Sequence, residues 1–460
     1  MTQLFYASTL FGAMTLAAAI DEGAFGPGGG RRILLVSNNA AVPEITPSLD
    51  EAPGFTALRP RFDEVWSWNE IVAPLHPSDW RARIIEVPMT GRLLRSHLSL
   101  GDGPDELIVE SVAVPPARTI AGLVRDCPVT VYSDGLMGYG PTRDPLPGEI
   151  AGRITRLLHL DLVPGLSPLL LSEYGVPART VGDEAFLRIL TEVSAASEGG
   201  AARGDGPDTV SGGTVSGGTV SGGTDGGAPE GGLAMILGQY LSALGIVTPA
   251  EEAALHADML RGLAARGFGS VLFKPHPAAG RRHARELRRT AGELGVRLTV
   301  AGETVPAESC FAALRPELVV GCFSTALVTA RRYFGLPVAA FGGELVLERL
   351  APYENSNRVP VTITDALLPR LGTDGSLEEP PVVDLPGLVR AVGHCMQSEA
   401  YPDLREEATA YLDACGPDRY FKRQRLAALD LLPGSPSPGP AVPAPGTFGR
   451  LRRRLTRALS

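Results

Sequence analysis

Glu317–Phe334 reads ELVVGCFSTALVTARRYF, and the order of residue types within it decides the fold. Glu317–Val320 is a short apolar run of the kind that a parallel sheet buries on both faces. Gly321–Thr325 breaks that run, and Ala326–Phe334 has the spacing of a helix, with Ser324 as a natural N-cap. Strand, tight turn and helix in that order are half of a βαβ unit. The same rhythm extends outward in both directions. Upstream, Ala250–Arg266 predicts an amphipathic helix begun by Thr248–Pro249, with Glu251 and Glu252 in its first turn. Strand Ser270–Phe273, helix Arg281–Leu294, strand Val296–Val300 and helix Ala307–Leu314 follow. Downstream, Pro337–Phe341 predicts a strand and the region near Leu404–Cys415 a closing helix.

The first half of the chain repeats the theme. Gln3–Tyr6 predicts a strand, Leu10–Ile20 an Ala-rich helix, and Gly26–Gly30 a break before strand Arg32–Ser37 (RILLVS). Strands Leu107–Ser111 and Val129–Ser133 flank a helix over Pro116–Arg125, whose proline sits near its start. Leu4–Ile20 is largely apolar, yet the first basic residue is Arg31 and the run is shorter than a bilayer span. It therefore predicts a folded strand and helix, not a secretory leader. Between the halves, Ser197–Gly232 collapses into Gly, Ser, Thr and Asp, with TVSGG repeated from Thr209, Thr214 and Thr219. Repeats this short cannot bury a core, so the stretch predicts a flexible linker or surface insertion. After Leu432 comes a proline-rich spacer, then FGRLRRRLTRALS. Two readings of that tail stand open: an interfacial helix resting on an anionic membrane through Arg450–Leu459, or a solvated basic tail. The expected division is thus 1–196 and 233–432 as two Rossmann-like α/β domains, 197–232 as the insertion and 433–460 as the tail.

Composition sets outer bounds. A chain of 460 residues, 44% apolar and 20% charged, has ample material for packed cores and is not wholly disordered. A net charge of −9 argues against nucleic acid as a partner. Lysine occurs only at Lys274 and Lys422, so arginine supplies almost all the basic charge. The five cysteines are odd in number and form no CxxC pair, which predicts neither a disulfide framework nor a zinc site and fits a reducing cytoplasm.

Three short motifs carry candidate chemistry. Lys274-Pro275-His276-Pro277 lies where a strand leaves the sheet, so His276 would stand in the crevice at the strands' carboxyl ends, where open α/β sheets bind ligands. A histidine cation there can pair with phosphate and donate a proton to a departing oxygen; the alternative is a loop histidine without a task. Ser324 and Thr325 open a helix whose amides could hold an anion, or they form an ordinary cap. Asp134, in Ser133-Asp134-Gly135 at the end of another strand, is a tight turn or a general base. Glu308 begins a helix, where a carboxylate is favoured in any case. The other six histidines show no metal-ligand spacing, Gly26–Gly30 is followed by no P-loop lysine, and Arg92, Arg95 and Arg143 either hold an anionic acceptor or solvate their surfaces.

The order Asp134-Gly135, His276-Pro277, Ser324-Thr325 resembles the acid-acid-Gly, His-Pro and Ser-Ser/Ser-Thr motifs of bacterial sialyltransferases, among them the capsular polysialyltransferases and the lipooligosaccharide sialyltransferases. Longer stretches (VYSDGLMGYGPTRD, RLLHLDLVPG, LLLSEYGVP, FKPHP, GCFSTAL) resemble the actinobacterial branch of the α-2,8-polysialyltransferase-like family. The likeness covers roughly 2–196 and 233–430. It departs from the pattern at Ser133, where the first acid of the motif is replaced.

The resemblance implies a GT-B glycosyltransferase, with two Rossmann-like domains facing across a cleft, the acceptor mainly on the first and a CMP-sugar on the second. Asp134 would be the catalytic base and His276 would help the CMP phosphate leave. His276, Pro277, Ser324 and Thr325 would bind the donor, and Glu308 its ribose hydroxyls. No metal or cofactor is expected. The donor would be CMP-sialic acid or a related CMP-nonulosonate, the acceptor an anionic glycan, and the location cytoplasmic. Two other classes stay open on the same residues, a sugar-nucleotide 2-epimerase and a non-catalytic partner in glycan assembly.

Overall fold

The structure, a computed structural model, describes residues 1–26, 28–201, 232–276, 282–302 and 305–432. The TVSGG repeats, Pro277 and the Arg450–Leu459 tail lie outside the described residues.

Two seven-stranded sheets organise the chain. The first contains β1 (Thr2–Ala7), β2 (Arg31–Val36), β3 (Glu64–Ser67), β4 (Glu106–Glu110), β5 (Val129–Ser133), β6 (Ile154–Leu160) and β7 (Ala178–Val181), in the order 3-2-1-4-5-6-7. All its neighbours pair parallel. The second contains β8 (Leu233–Leu237), β9 (Ser270–Lys274), β10 (Arg297–Val300), β11 (Leu318–Gly321), β12 (Val338–Ala340), β13 (Arg370–Leu371) and β14 (Leu377–Glu378), in the order 10-9-8-11-12-13-14. Only its last pair is antiparallel. This is the two-domain GT-B form of the α/β class.

The N-terminal apolar run forms an interior strand of the first sheet, between β2 and β4, and the helix packed on it. In β1, Phe5 and Ala7 join one core layer while Leu4 and Tyr6 join the other, because alternate side chains point to opposite faces. Helix Leu10–Asp21 follows, capped by Thr9, whose Oγ1 accepts the Gly12 N–H at 2.9 Å. It buries Gly12 through Ile20 without a break, so it is a core helix with no polar stripe.

The halves touch at several points. Helix Asp183–Ala201 closes the first sheet, running beyond residue 196, and Ser194 Oγ lies 3.3 Å from Ser309 Oγ on helix Ala307–Leu314. Arg332 forms ion pairs with Asp183 and, at 3.9 Å, with Asp161. The segment after helix Leu385–Met396 reaches back to the first half. There the Tyr401 hydroxyl bonds Leu169 O at 2.8 Å and Glu173 Oε2 at 2.6 Å, and lies 3.2 Å from Thr142 N.

Candidate active site at the facing strand ends

Asp134, His276, Ser324 and Thr325 follow the carboxyl ends of strands, where the chain leaves the sheet and backbone groups lose their ladder partners, and Glu308 begins a helix. On the first sheet, β5 ends at Ser133, and Asp134 is the next residue. Its Oδ2 accepts the Thr9 hydroxyl at 3.2 Å. Asp134 keeps part of its surface open to solvent although protein atoms crowd its carboxylate; that burial pushes its pKa up, and the Thr9 bond opposes the shift. Ser133 points the other way, as alternation requires. A side chain on Gly138 would come within 2.6 Å of its Oγ, so the serine is packed against the following turn.

A second carboxylate nevertheless stands beside Asp134. Glu110, the last residue of β4, is buried; its Oε1 accepts the Ser8 N–H at 3.0 Å and also the Ser8 hydroxyl. The Tyr132 hydroxyl lies 3.2 Å from Glu110 Oε2 and 3.0 Å from Tyr6 O. Burial, then the nearby Asp134 charge, push the Glu110 pKa up to about 7. Two carboxylates this close ionise as a pair, with the second proton held against the first charge. Gly12 makes the arrangement possible: a Cβ there would lie 3.0 Å from Thr9 Oγ1, 3.1 Å from the Tyr132 hydroxyl and 3.2 Å from Asp134 Oδ2.

The second sheet presents the opposite chemistry. Lys274 ends β9, is buried, and donates from Nζ to Pro275 O at 2.8 Å. The His276 ring packs against Tyr240, with centroids 4.0 Å apart and the ring planes tilted by 40°. Burial, then the Lys274 charge, lower its pKa to about 3, so its imidazole is neutral in the protein alone; the histidine cation expected from sequence requires a bound anion to stabilise it. Ser324 caps helix Thr325–Phe334, its Oγ accepting the Ala326 N–H at 3.2 Å. The turn before it is anchored by Gln239, whose Oε1 accepts the Phe323 N–H at 3.0 Å. Glu308 is buried in the first turn of helix Ala307–Leu314, and its Oε1 accepts the Thr329 hydroxyl at 2.8 Å. Burial raises its pKa, the Lys274 charge pulls it down and the Asp134 charge pushes it up.

The two sets meet. Thr325 Oγ1 accepts the Leu136 N–H at 3.3 Å, directly across from Asp134-Gly135, and a Cβ on Gly135 would sit 3.0 Å from that oxygen. Thr325 thus meets the loop that follows Asp134, the Asp134 and Lys274 charges both act on Glu308, and the Lys274 charge also acts on His276; Pro277 lies outside the described residues. Arg143 offers its carbonyl to Gln397 at 3.3 Å, and Arg92 and Arg95 lie on helix Val87–His97. His159 and His394 are tied to backbone carbonyls at 3.0 and 2.9 Å and are structural. Among the described residues, no group of three or more His, Cys, Asp or Glu side chains is arranged to hold a metal ion.

Sequence reasoning missed Glu110, Lys274, Gln239 and Tyr240. Glu110 had a signal, a carboxylate directly after the apolar run Leu107–Val109. Lys274 had another, being one of only two lysines and two residues from His276.

The family model described as alpha-2,8-polysialyltransferase (POLYST) matches residues 3–342. No curated protein matches the chain. Among solved structures, it is similar to the GT-B domain of a sialyltransferase from Photobacterium damselae, at 12% identity and TM-score 0.37, over 79% of this chain and 96% of that one. It is similar at 10% identity and TM-score 0.39 to a 2,6-sialyltransferase of a Photobacterium species in complex with CMP and lactose, over 78% of this chain and 74% of that one. A UDP-N-acetylglucosamine 2-epimerase from Listeria monocytogenes, described as putative in its structure, matches at 10% identity and TM-score 0.38, over 96% and 99% of the two chains.

Proposed function

Since the chain belongs to the alpha-2,8-polysialyltransferase family and is a glycosyltransferase, we propose that it moves a sialic acid, or a related nonulosonic acid, from a CMP-linked donor to an anionic glycan acceptor, with inversion and without a metal. The observation that carries this reading is the contact of Leu136 N–H with Thr325 Oγ1, which sets the Asp134 loop against the tip of the helix that Ser324 caps.

The chemistry follows from the two sides of the gap. An acceptor hydroxyl gives its proton to the Asp134 carboxylate as its oxygen bonds to the anomeric carbon of the donor sugar. The bond from that carbon to the phosphate oxygen breaks, and CMP leaves with the electron pair. Burial raises the proton affinity of Asp134 above that of a free carboxylate, which favours it as a general base. On the other side, the buried Lys274 ammonium, the Ser324 and Thr325 hydroxyls and the helix tip offset the charge growing on the phosphate. His276 is neutral until the phosphate arrives. An anion against its ring stabilises the protonated form, so donor binding itself primes the residue to give a proton to the departing oxygen. Pro277 would help shape the donor loop, and the Glu308 oxygen not bonded to Thr329 would take the cytidine ribose hydroxyls. A single leaving phosphate asks for less charge compensation than a diphosphate does, which supports a metal-independent route.

The protein would work in the cytoplasm, with Arg450–Leu459 as one contact with the membrane. Among the described residues, no helix is long and apolar enough to cross a membrane. The test is purified protein given CMP-Neu5Ac and a sialylated acceptor. CMP release should depend on the acceptor, and His276→Ala should cut it by about 10²-fold or more. Unchanged turnover in that variant would end the role of His276. Stabilisation by UDP and not by CMP in a thermal melt would favour the epimerase class.

A further inference from the structure

Segment 81–97, RARIIEVPMTGRLLRSH, gathers four exposed large apolar side chains among the described residues. Ile84 is 89% exposed, Ile85 85%, Leu93 62% and Met89 52%. Helix Val87–His97 turns only Val87, Gly91 and Leu94 inward. It lies close on the first domain because Gly91 has no side chain; a Cβ there would meet Leu123 O at 2.8 Å. Ile85, Met89 and Leu93 are four residues apart, so they form one outward line, with Arg92 beside it. Side chains this exposed touch almost nothing of their own protein, and they protrude instead of lining a groove.

Their position is set by topology. Strands β3 and β4 are parallel members of one sheet, so the helix joining them runs antiparallel to both and begins at the carboxyl edge. Two contacts confirm this: Trp80 O accepts the Thr119 hydroxyl at 3.1 Å, and His76 Nε2 lies 2.9 Å from Ala40 O in the loop after β2. Ile84 and Ile85, a few residues beyond Trp80, therefore stand near the same rim of the first sheet as Asp134. Met89 and Leu93 continue the line down the flank, where Gly91 meets the end of helix Ala117–Leu123.

Charge identifies what this rim faces. Within 81–97, Arg81, Arg83, Arg92 and Arg95 stand against a single carboxylate, Glu86, in a chain whose net charge is −9. Aliphatic prongs flanked by guanidinium groups match a surface with negative headgroups above an apolar layer. We propose that Ile84–Leu93 is a docking edge that inserts shallowly into an anionic lipid bilayer. The mouth of the first domain then rests on the membrane plane. Docking does not depend on the proposed transfer reaction. Its consequence, access to an acceptor carried on a lipid anchor, does rest on that reading.

The experiment is flotation of the full-length protein with vesicles of phosphatidylcholine alone or mixed with phosphatidylglycerol. The protein should float with the mixed vesicles, and less so as salt is raised. Ile85→Glu with Met89→Glu should lower the floated fraction about tenfold, while leaving the melting temperature and the activity on a soluble acceptor unchanged. Arg81→Ala with Arg92→Ala should abolish the preference for phosphatidylglycerol. Three outcomes would overturn the proposal: wild-type flotation by the Glu pair, which moves binding to another surface such as Arg450–Leu459; no flotation of the wild type; or a wild-type dimer that the Glu pair splits, which makes this edge a contact between copies. Loss of transfer activity by the wild type on every acceptor, with flotation intact, would sink the reaction and leave the docking edge standing.

Discussion

The two sheets share one strand order and carry opposite chemistry at their carboxyl ends. The first ends in Glu110 and Asp134, two crowded carboxylates whose proton affinity is raised. The second ends in Lys274, His276 and a helix tip, where an imidazole has lost its proton to burial and a neighbouring ammonium. Topology therefore supplies only two crevices, and the residues one or two places beyond each strand decide what each crevice does. One side is short of protons to give and ready to take one. The other is short of negative charge and ready to receive it.

The sharpest way to break this contrast is Asp134→Asn, which keeps the size and the Thr9 partner but cannot accept a proton. Turnover should fall about 10³-fold with little change in donor affinity, measured by initial rates and by CMP titration. A variant that retains most of its turnover would take the base role from Asp134. Glu110→Gln tests whether the pair acts together. It preserves an acceptor for Ser8 and removes the group that titrates near pH 7, so an inflection of kcat/KM near pH 7 should disappear. The same variant has a stability signature. A carboxyl whose folded pKa is raised from 4.5 to about 7 contributes stability below 4.5 that is lost as pH rises through 7. Glu110→Gln should therefore melt higher than wild type at pH 8 and no higher at pH 4.5. Equal melting at both would show that Glu110 carries no such strain. The smallest effect belongs to Thr325→Val, which removes the acceptor of Leu136 N–H and one donor toward the phosphate. Donor KM should rise about three- to tenfold while kcat changes less.

Much of this contrast was legible in the sequence, for a physical reason. Val129–Ser133 and Ala307–Leu314 occur as read, because each is an apolar segment bounded by strong breakers. Asp134, Ser324 and Thr325 were visible as residues that follow strands, and strand ends are where this fold puts its ligands. Strand β8 was missed because it directly follows the Gly-rich stretch, which hides its start. Strand β6 (ITRLLHL) carries Arg156 and His159, which dilute the apolar pattern of a central strand. Glu110 could not be assigned without the pairing of β4 with β5, since only that register brings it beside Asp134. The neutral state of His276 was equally hidden, because it comes from Tyr240 and Lys274 packing around the ring.

Tyr401 gives the molecule a property that its chain order conceals. Its hydroxyl ties residues late in the sequence to Leu169, Glu173 and Thr142, while Ser194 meets Ser309 at the other margin. The covalent link through 202–231 is thus one of several ties between the lobes. A protease nick inside that link would yield two fragments that copurify, and the enzyme would behave as a complemented pair of polypeptides.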